Sequence, residues 1–227
     1  MTWVLDNLGL ITDLTVEHLR QSALPIVLGF LVSIPVGWAA FRYTAVRGPV
    51  LALVGLLYTI PSLGLFGLLA AALGISFLSE TNLVVALTIY AVAIMTRSVA
   101  DALDSVDRTV RDAATAMGYS PWRRFWTVEL PLAGPVLLAG LRVTAVSTIA
   151  LATVGILIGV ENLGYLFTNG SQRRIVAEVL AGVVAVVLVA VVIDLLLVWV
   201  GRLVMPWLPR HTRRRAAARA ARQAVAA

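Results

Sequence analysis

Lysine is missing from this chain; all 18 basic residues are arginine. A Walker-type phosphate loop needs its lysine, so the chain cannot hold ATP in that way. Schiff-base chemistry is excluded on the same ground. Cysteine is absent too, which removes thiolate catalysis, disulfides and thiolate-based metal sites. Histidine occurs only as His18 and His211, too few for a ligand cluster. Charge is scarce as well, at 13% of 227 residues, against roughly a quarter in a soluble domain. The chain is expected to do no covalent chemistry and to hold no metal or cofactor.

What remains is apolar. Hydrophobic residues make up 60% of the sequence, and its mean hydropathy is +0.93. This composition predicts an all-α, polytopic membrane protein of one domain. The formal charge of +6 fits the flanks of apolar segments and anionic lipid, not nucleic acid. No basic stretch precedes an apolar core at the N-terminus, so no cleavable signal is expected.

A bilayer crossing takes about 20 apolar residues. The uncharged intervals predict five crossings, at about 21–41, 49–72, 81–102, 136–160 and 178–204. They leave a short amphipathic or irregular lead-in at 1–20, a transmembrane domain over 21–205, a long polar loop at 103–135 and a basic tail at 206–227. The tail "RHTRRRAAARAARQ" and the 103–135 loop are both arginine-rich, and basic segments favour the cytoplasm. Five crossings put both inside and the N-terminus outside. Only Arg20, Arg173 and Arg174 then fall outside.

The 103–135 loop has its own architecture. Val110, Ala113, Ala114 and Met117 recur at helical spacing. Gly118 suits a helix C-terminus. Ser120-Pro121 suits the start of a second helix, which Pro131 is expected to stop or kink. Such a pair also has the composition of a helix lying on the inner leaflet.

The spacing is more specific. Asp112-Ala113-Ala114, three residues, Gly118, nine residues and then Val128-x-Leu130-Pro131 resembles the "EAA" loop of bacterial ABC importer permeases. That pattern reads E-A-A, three residues, Gly, nine residues, I-x-L-P; here Asp replaces Glu and Val replaces Ile. "YTIPSLGLFGLL" (58–69) and "ELPLAGPVLLAGLR" (129–142) are similar to the osmoprotectant branch, which serves glycine betaine, carnitine, choline and proline betaine. The branch's "GAGGLG" run is replaced by "IGVENLGYLF" (158–167).

The resemblance implies the type I importer permease fold. It implies that Asp112, Ala113, Ala114, Gly118 and Pro131 belong to a coupling loop that docks on a cytoplasmic ABC ATPase dimer. ATP and Mg would sit on that partner. A second permease copy or a paralogue, and an extracytoplasmic substrate-binding protein, would complete an importer in the bacterial inner membrane. Alternating access of the permease pair would move the solute. Other substrates in view are amino acids and small zwitterions, including thiol-histidine betaines. A different class of reading is a non-transporting membrane scaffold that recruits a cytoplasmic partner.

Other residues stand out. Pro61 and Gly64 interrupt the second span, with Tyr58 and Ser62 as nearby polar groups, and together they form a candidate gate or pathway. Tyr58, Phe66 and Tyr90 are candidate aromatic faces for a quaternary ammonium. Glu161, Asn162, Arg173 and Arg174 are candidate outer-face contacts. Arg142 and Asp194 are intramembrane charges, each about ten residues from a cytoplasmic helix end, so about 15 Å deep. Residues so placed on adjacent antiparallel helices are expected to pair.

Overall fold

The computed structural model describes residues 2–207. The expected basic tail, from residue 208 onward, lies outside the described residues. All described regular structure is helical. A short α1 (Thr2–Asp6) precedes α2 (Leu8–Arg42), α3 (Thr44–Thr59), α4 (Ser62–Leu73) and α5 (Glu80–Asp104). Then come α6 (Arg108–Ala116) and α7 (Pro121–Arg124), and a π-helical turn (Phe125–Glu129) leads into α8 (Leu130–Ala152). A 3-10 segment (Thr153–Ile158), α9 (Gly164–Gln172) and α10 (Val176–Val204) complete the chain.

Four helical stretches are singly long and apolar enough to cross a bilayer: Leu8–Arg42, Glu80–Asp104, Pro121–Ile158 and Val176–Val204. The pair α3 and α4, bent by 108°, makes a fifth if it counts as one crossing. The expected 49–72 span is therefore two helices meeting at a sharp break. Its cause is local. Pro61 takes φ −58 and ψ 135, its missing N–H ends the ladder, and the residue before it is pushed out of the α region.

Three other expectations are revised. Helix α2 begins at Leu8, so most of the lead-in continues the first span. Helix α8 tightens into a 3-10 end at Thr153–Ile158 and closes on Gly159 at φ +74. Pro131 neither stops nor kinks its helix. Five residues ahead of it the turn widens, and Leu130 N–H donates to Phe125 O. A π turn removes the i−4 geometry in which the proline ring would meet a carbonyl.

Helix α5 is the hub, packed by α2, α3, α4 and α8. Helix α2 buries a seam of Ser22, Pro25, Gly29, Ser33, Gly37 and Ala40, spaced at three and four residues as one helix face requires. A Cβ on Gly37 would lie 2.6 Å from Val99 Cβ, and one on Gly29 would overlap Ala91. Small residues of this kind let membrane helices approach backbone to backbone. Helix α10 packs on α8 and α9 and turns Val183, Val187, Leu188, Val191, Leu195 and Trp199 outward.

Two ion pairs mark the ends of the bundle. Arg20 bonds Glu80 at 2.7 Å, and Arg47 bonds Asp104. With Gly29 against Ala91 and Gly37 against Val99, helices α2 and α5 run parallel. The bent α3–α4 pair carries the chain from the Asp104 end back to the Glu80 end.

Candidate functional site

At the Asp104 end, α6 starts on Asp107. Its carboxylate accepts from Thr109 N–H and Thr109 Oγ1, each at 2.8 Å. Those hydrogen bonds, backbone first, hold the Asp107 carboxyl below its ordinary value. The helix ends in a Schellman arrangement: Tyr119 N–H donates to Ala114 O at 3.1 Å and Gly118 N–H to Thr115 O at 2.9 Å. Gly118 supplies the left-handed residue this closure needs, at φ +81.

The four candidate docking residues of α6 and its cap divide by face. Asp112, Ala113 and Gly118 are exposed, next to a protruding Met117. Ala114 is buried beneath them. Pro131 lies further on, in the first turn of α8.

The platform under α6 is built from polar and aromatic contacts. Arg124 donates to Glu129 Oε1 at 2.7 Å and to Thr115 Oγ1 at 2.8 Å, joining α6 to the π turn. Trp38 of α2 meets Phe125 at 5.7 Å and Trp122 at 6.3 Å, and Trp126 stacks edge-on with both. Arg111 lies over the Phe41 ring at 5.2 Å. These contacts join α6 to the ends of α2 and α8.

Where α3 breaks, the Ile60 carbonyl has no helical donor. Tyr90 Oη donates to it at 2.6 Å, and Tyr58 packs edge-on against Tyr90 at 6.2 Å. Pro61 and Gly64 are exposed at the bend and Ser62 is half-buried. Phe66 is a core residue, so it offers no face to a solute.

The structure brings Arg142 and Asp194 together. Arg142 Nε donates to Oδ1 at 2.6 Å and Nη2 to Oδ2 at 2.7 Å. This two-pronged geometry is the strong form of the pair. Beside it, a cavity of about 330 Å³ opens between α3, α5 and α8. Tyr58, Arg97, Ser98, Asp101 and Ser147 supply its polar lining.

Sequence reasoning missed a buried polar knot at the Glu80 end. Asn162 donates to Gln21 Oε1 and to Ala152 O, both at 2.9 Å, and accepts from Gly164 N–H at 2.8 Å. Gln21 donates to Glu161 O at 3.0 Å, and His18 Nε2 lies 3.0 Å from Ile149 O. Asn162 is thus a structural bridge and not an outer-face contact, whereas Glu161, Arg173 and Arg174 are exposed. Neither Gln21 nor Asn162 stands in a pattern that distinguishes it from a loop or interface residue. No cluster able to hold a metal exists among the described residues.

The model of the binding-protein-dependent transport system inner membrane component family matches residues 26–209. An osmoprotectant import permease of Salmonella typhimurium is 34% identical over 80% of this chain and 86% of its own length. A glycine betaine/carnitine/choline transport system permease of Bacillus subtilis is 32% identical over 74% of this chain and 76% of its own. Among solved structures, the inward-facing MetNI methionine ABC transporter superposes with a TM-score of 0.79 at 21% identity. That match covers 88% of this chain and 98% of the transporter chain.

Proposed function

Because the chain belongs to the binding-protein-dependent transport system inner membrane component family, as an ABC importer permease of the osmoprotectant branch, we propose that it moves a small quaternary-ammonium solute inward by alternating access. ATP is bound with Mg and hydrolysed on a separate ATPase dimer. The permease pairs with a second copy or a paralogue, and an extracytoplasmic binding protein delivers the solute. The N-terminus is outside and the C-terminus cytoplasmic.

The observation that carries this reading is the likeness to the osmoprotectant permease over 80% of the chain. The loop chemistry supports it. Asp112, Ala113 and Gly118 present a small, exposed face on a braced helix. Small side chains permit close seating in a partner's groove, and Asp112 offers an anion to a basic partner. Pro131 and the π turn connect that helix to α8. Tyr58, Pro61, Ser62 and Gly64 form the bend at which the pathway opens and closes.

The test is reconstitution of the permease with its ATPase and binding protein in proteoliposomes. Labelled glycine betaine should accumulate only with ATP inside and binding protein outside. ATP-dependent accumulation rejects a non-transporting scaffold. Failure to accumulate any quaternary ammonium, with amino-acid uptake intact, would move the chain to an amino-acid importer.

A further inference from the structure

The cavity between α3, α5 and α8 combines two chemistries that rarely share one apolar surface. Tyr58 contributes an exposed aromatic face. Arg97 contributes a guanidinium that makes no hydrogen bond or ion pair among the described residues. An arginine within an apolar span is costly unless it is paired or used.

Its neighbours leave it uncommitted. Asp194, the nearby intramembrane carboxylate, is occupied on both oxygens by Arg142. That pair lines an adjoining cavity of about 420 Å³ which shares Val143 and Ser147 with the first. Asp101 lies one turn beyond Arg97, and its charge also acts on Arg47. Arg97 is left as the anion-seeking group of the space, with the Ser98 and Ser147 hydroxyls beside it.

The separation of the two groups suits a short dipolar ligand. Tyr58 packs on Tyr90, and Arg97 is two turns further along the same face of α5, about 10 Å along the axis. A quaternary ammonium is held within about 6 Å of a ring centroid, and a carboxylate within about 2.9 Å of a guanidinium nitrogen. The flexible Arg97 side chain covers what remains.

We propose that Tyr58 and Arg97 form a binding site within the permease that reads both ends of a carboxylate-bearing betaine. The ring takes the trimethylammonium and the guanidinium takes the carboxylate. This inference rests on the quaternary-ammonium reading above and narrows it to zwitterions over choline, which carries no carboxylate.

The experiment compares labelled glycine betaine and choline in the reconstituted complex, at saturating binding protein and with wild type as reference. Arg97→Gln should lower the glycine betaine-to-choline rate ratio about tenfold or more, the scale of one lost charge-assisted contact. Arg97→Lys should restore part of the ratio, because it keeps the charge and loses the fork. Tyr58→Leu should slow both solutes and leave their ratio within about twofold, since both carry the ammonium that the ring would hold. An unchanged ratio in Arg97→Gln, or an equal fall for both solutes, overturns the site while the transport reading stands. If the wild type moves neither solute, the quaternary-ammonium reading falls and the site falls with it.

Discussion

Gly118 shows what one residue contributes. Its φ of +81 costs a residue with a Cβ about 1–2 kcal/mol, yet a Cβ there would meet nothing within 4 Å. Gly118→Ala should therefore lower thermal stability by about 1 kcal/mol through the backbone alone. On the proposed docking of α6 against an ATPase, Gly118→Leu should in addition abolish substrate-stimulated ATP hydrolysis in the assembled transporter, because the added bulk would stand on the docking face. Unchanged stimulation in Gly118→Leu would remove this glycine from the docking surface. The Arg142–Asp194 pair makes a different case. Its side chains keep 40% and 25% of their exposure, and each charge offsets the other. Asp194→Asn should lower the melting temperature in detergent more than the charge-free double variant Arg142→Gln with Asp194→Asn. A double variant that melts lower than Asp194→Asn would show that the pair contributes net stability rather than mutual neutralisation.

Among the elements, the α2–α5 contact is sensitive to a single substitution. Gly37 faces Val99 Cβ and Cγ1 at 2.6 Å and Thr96 O at 3.0 Å from where its own Cβ would stand. Gly37→Val should destabilise the fold by about 3 kcal/mol, at the upper end for an overpacked core, read as loss of folded protein on heating in detergent. Gly55, on α3, meets nothing within 4 Å, so Gly55→Ala should melt near wild type. The α6 cap and its spacing to Pro131 were legible in the sequence, because Gly, Ser-Pro and Pro act through local backbone geometry. The helical spans were legible because hydropathy is a local sum. An interruption at Pro61 and Gly64 was legible, but not the 108° size of the break, since the carbonyl freed at Ile60 is satisfied by Tyr90, thirty residues away, and local rules do not see that donor. The π turn before Pro131 escaped for a related reason. A proline inside a helical pattern predicts disruption, and the widened turn that accommodates it lies in long-range packing, Phe125 against Trp38, that a local pattern does not contain. Buried Asn162 and Gln21 look like surface residues until the fold brings them together.

For the whole molecule the number of crossings decides on which side of the membrane the α6 platform lies. Hydropathy alone leaves the α3–α4 pair open, because neither half is long enough and their bend is 108°. The two end-marking ion pairs, Arg20–Glu80 and Arg47–Asp104, favour a crossing. With α2 and α5 parallel, as Gly29 against Ala91 and Gly37 against Val99 show, the chain between residues 47 and 80 has to travel the length of the bundle. A re-entrant pair would instead return to the side it left, and α2 and α5 would then be antiparallel. The crossing places the α6 platform with the α2–α3 junction, and the exposed Arg173 and Arg174 with the loop before α5. The chain has no cysteine, so single cysteines at exposed Ala45, Leu78 and Ser171 report sidedness without background. In intact cells a membrane-impermeant maleimide should label Leu78→Cys and Ser171→Cys, and reach Ala45→Cys only after permeabilisation. A re-entrant pair would give all three positions the same accessibility, because residues 45, 78 and 171 would then share one side. Labelling of Ala45→Cys alone would invert the protein and set the arginine-rich end outside, against the electrostatic preference that orients such chains.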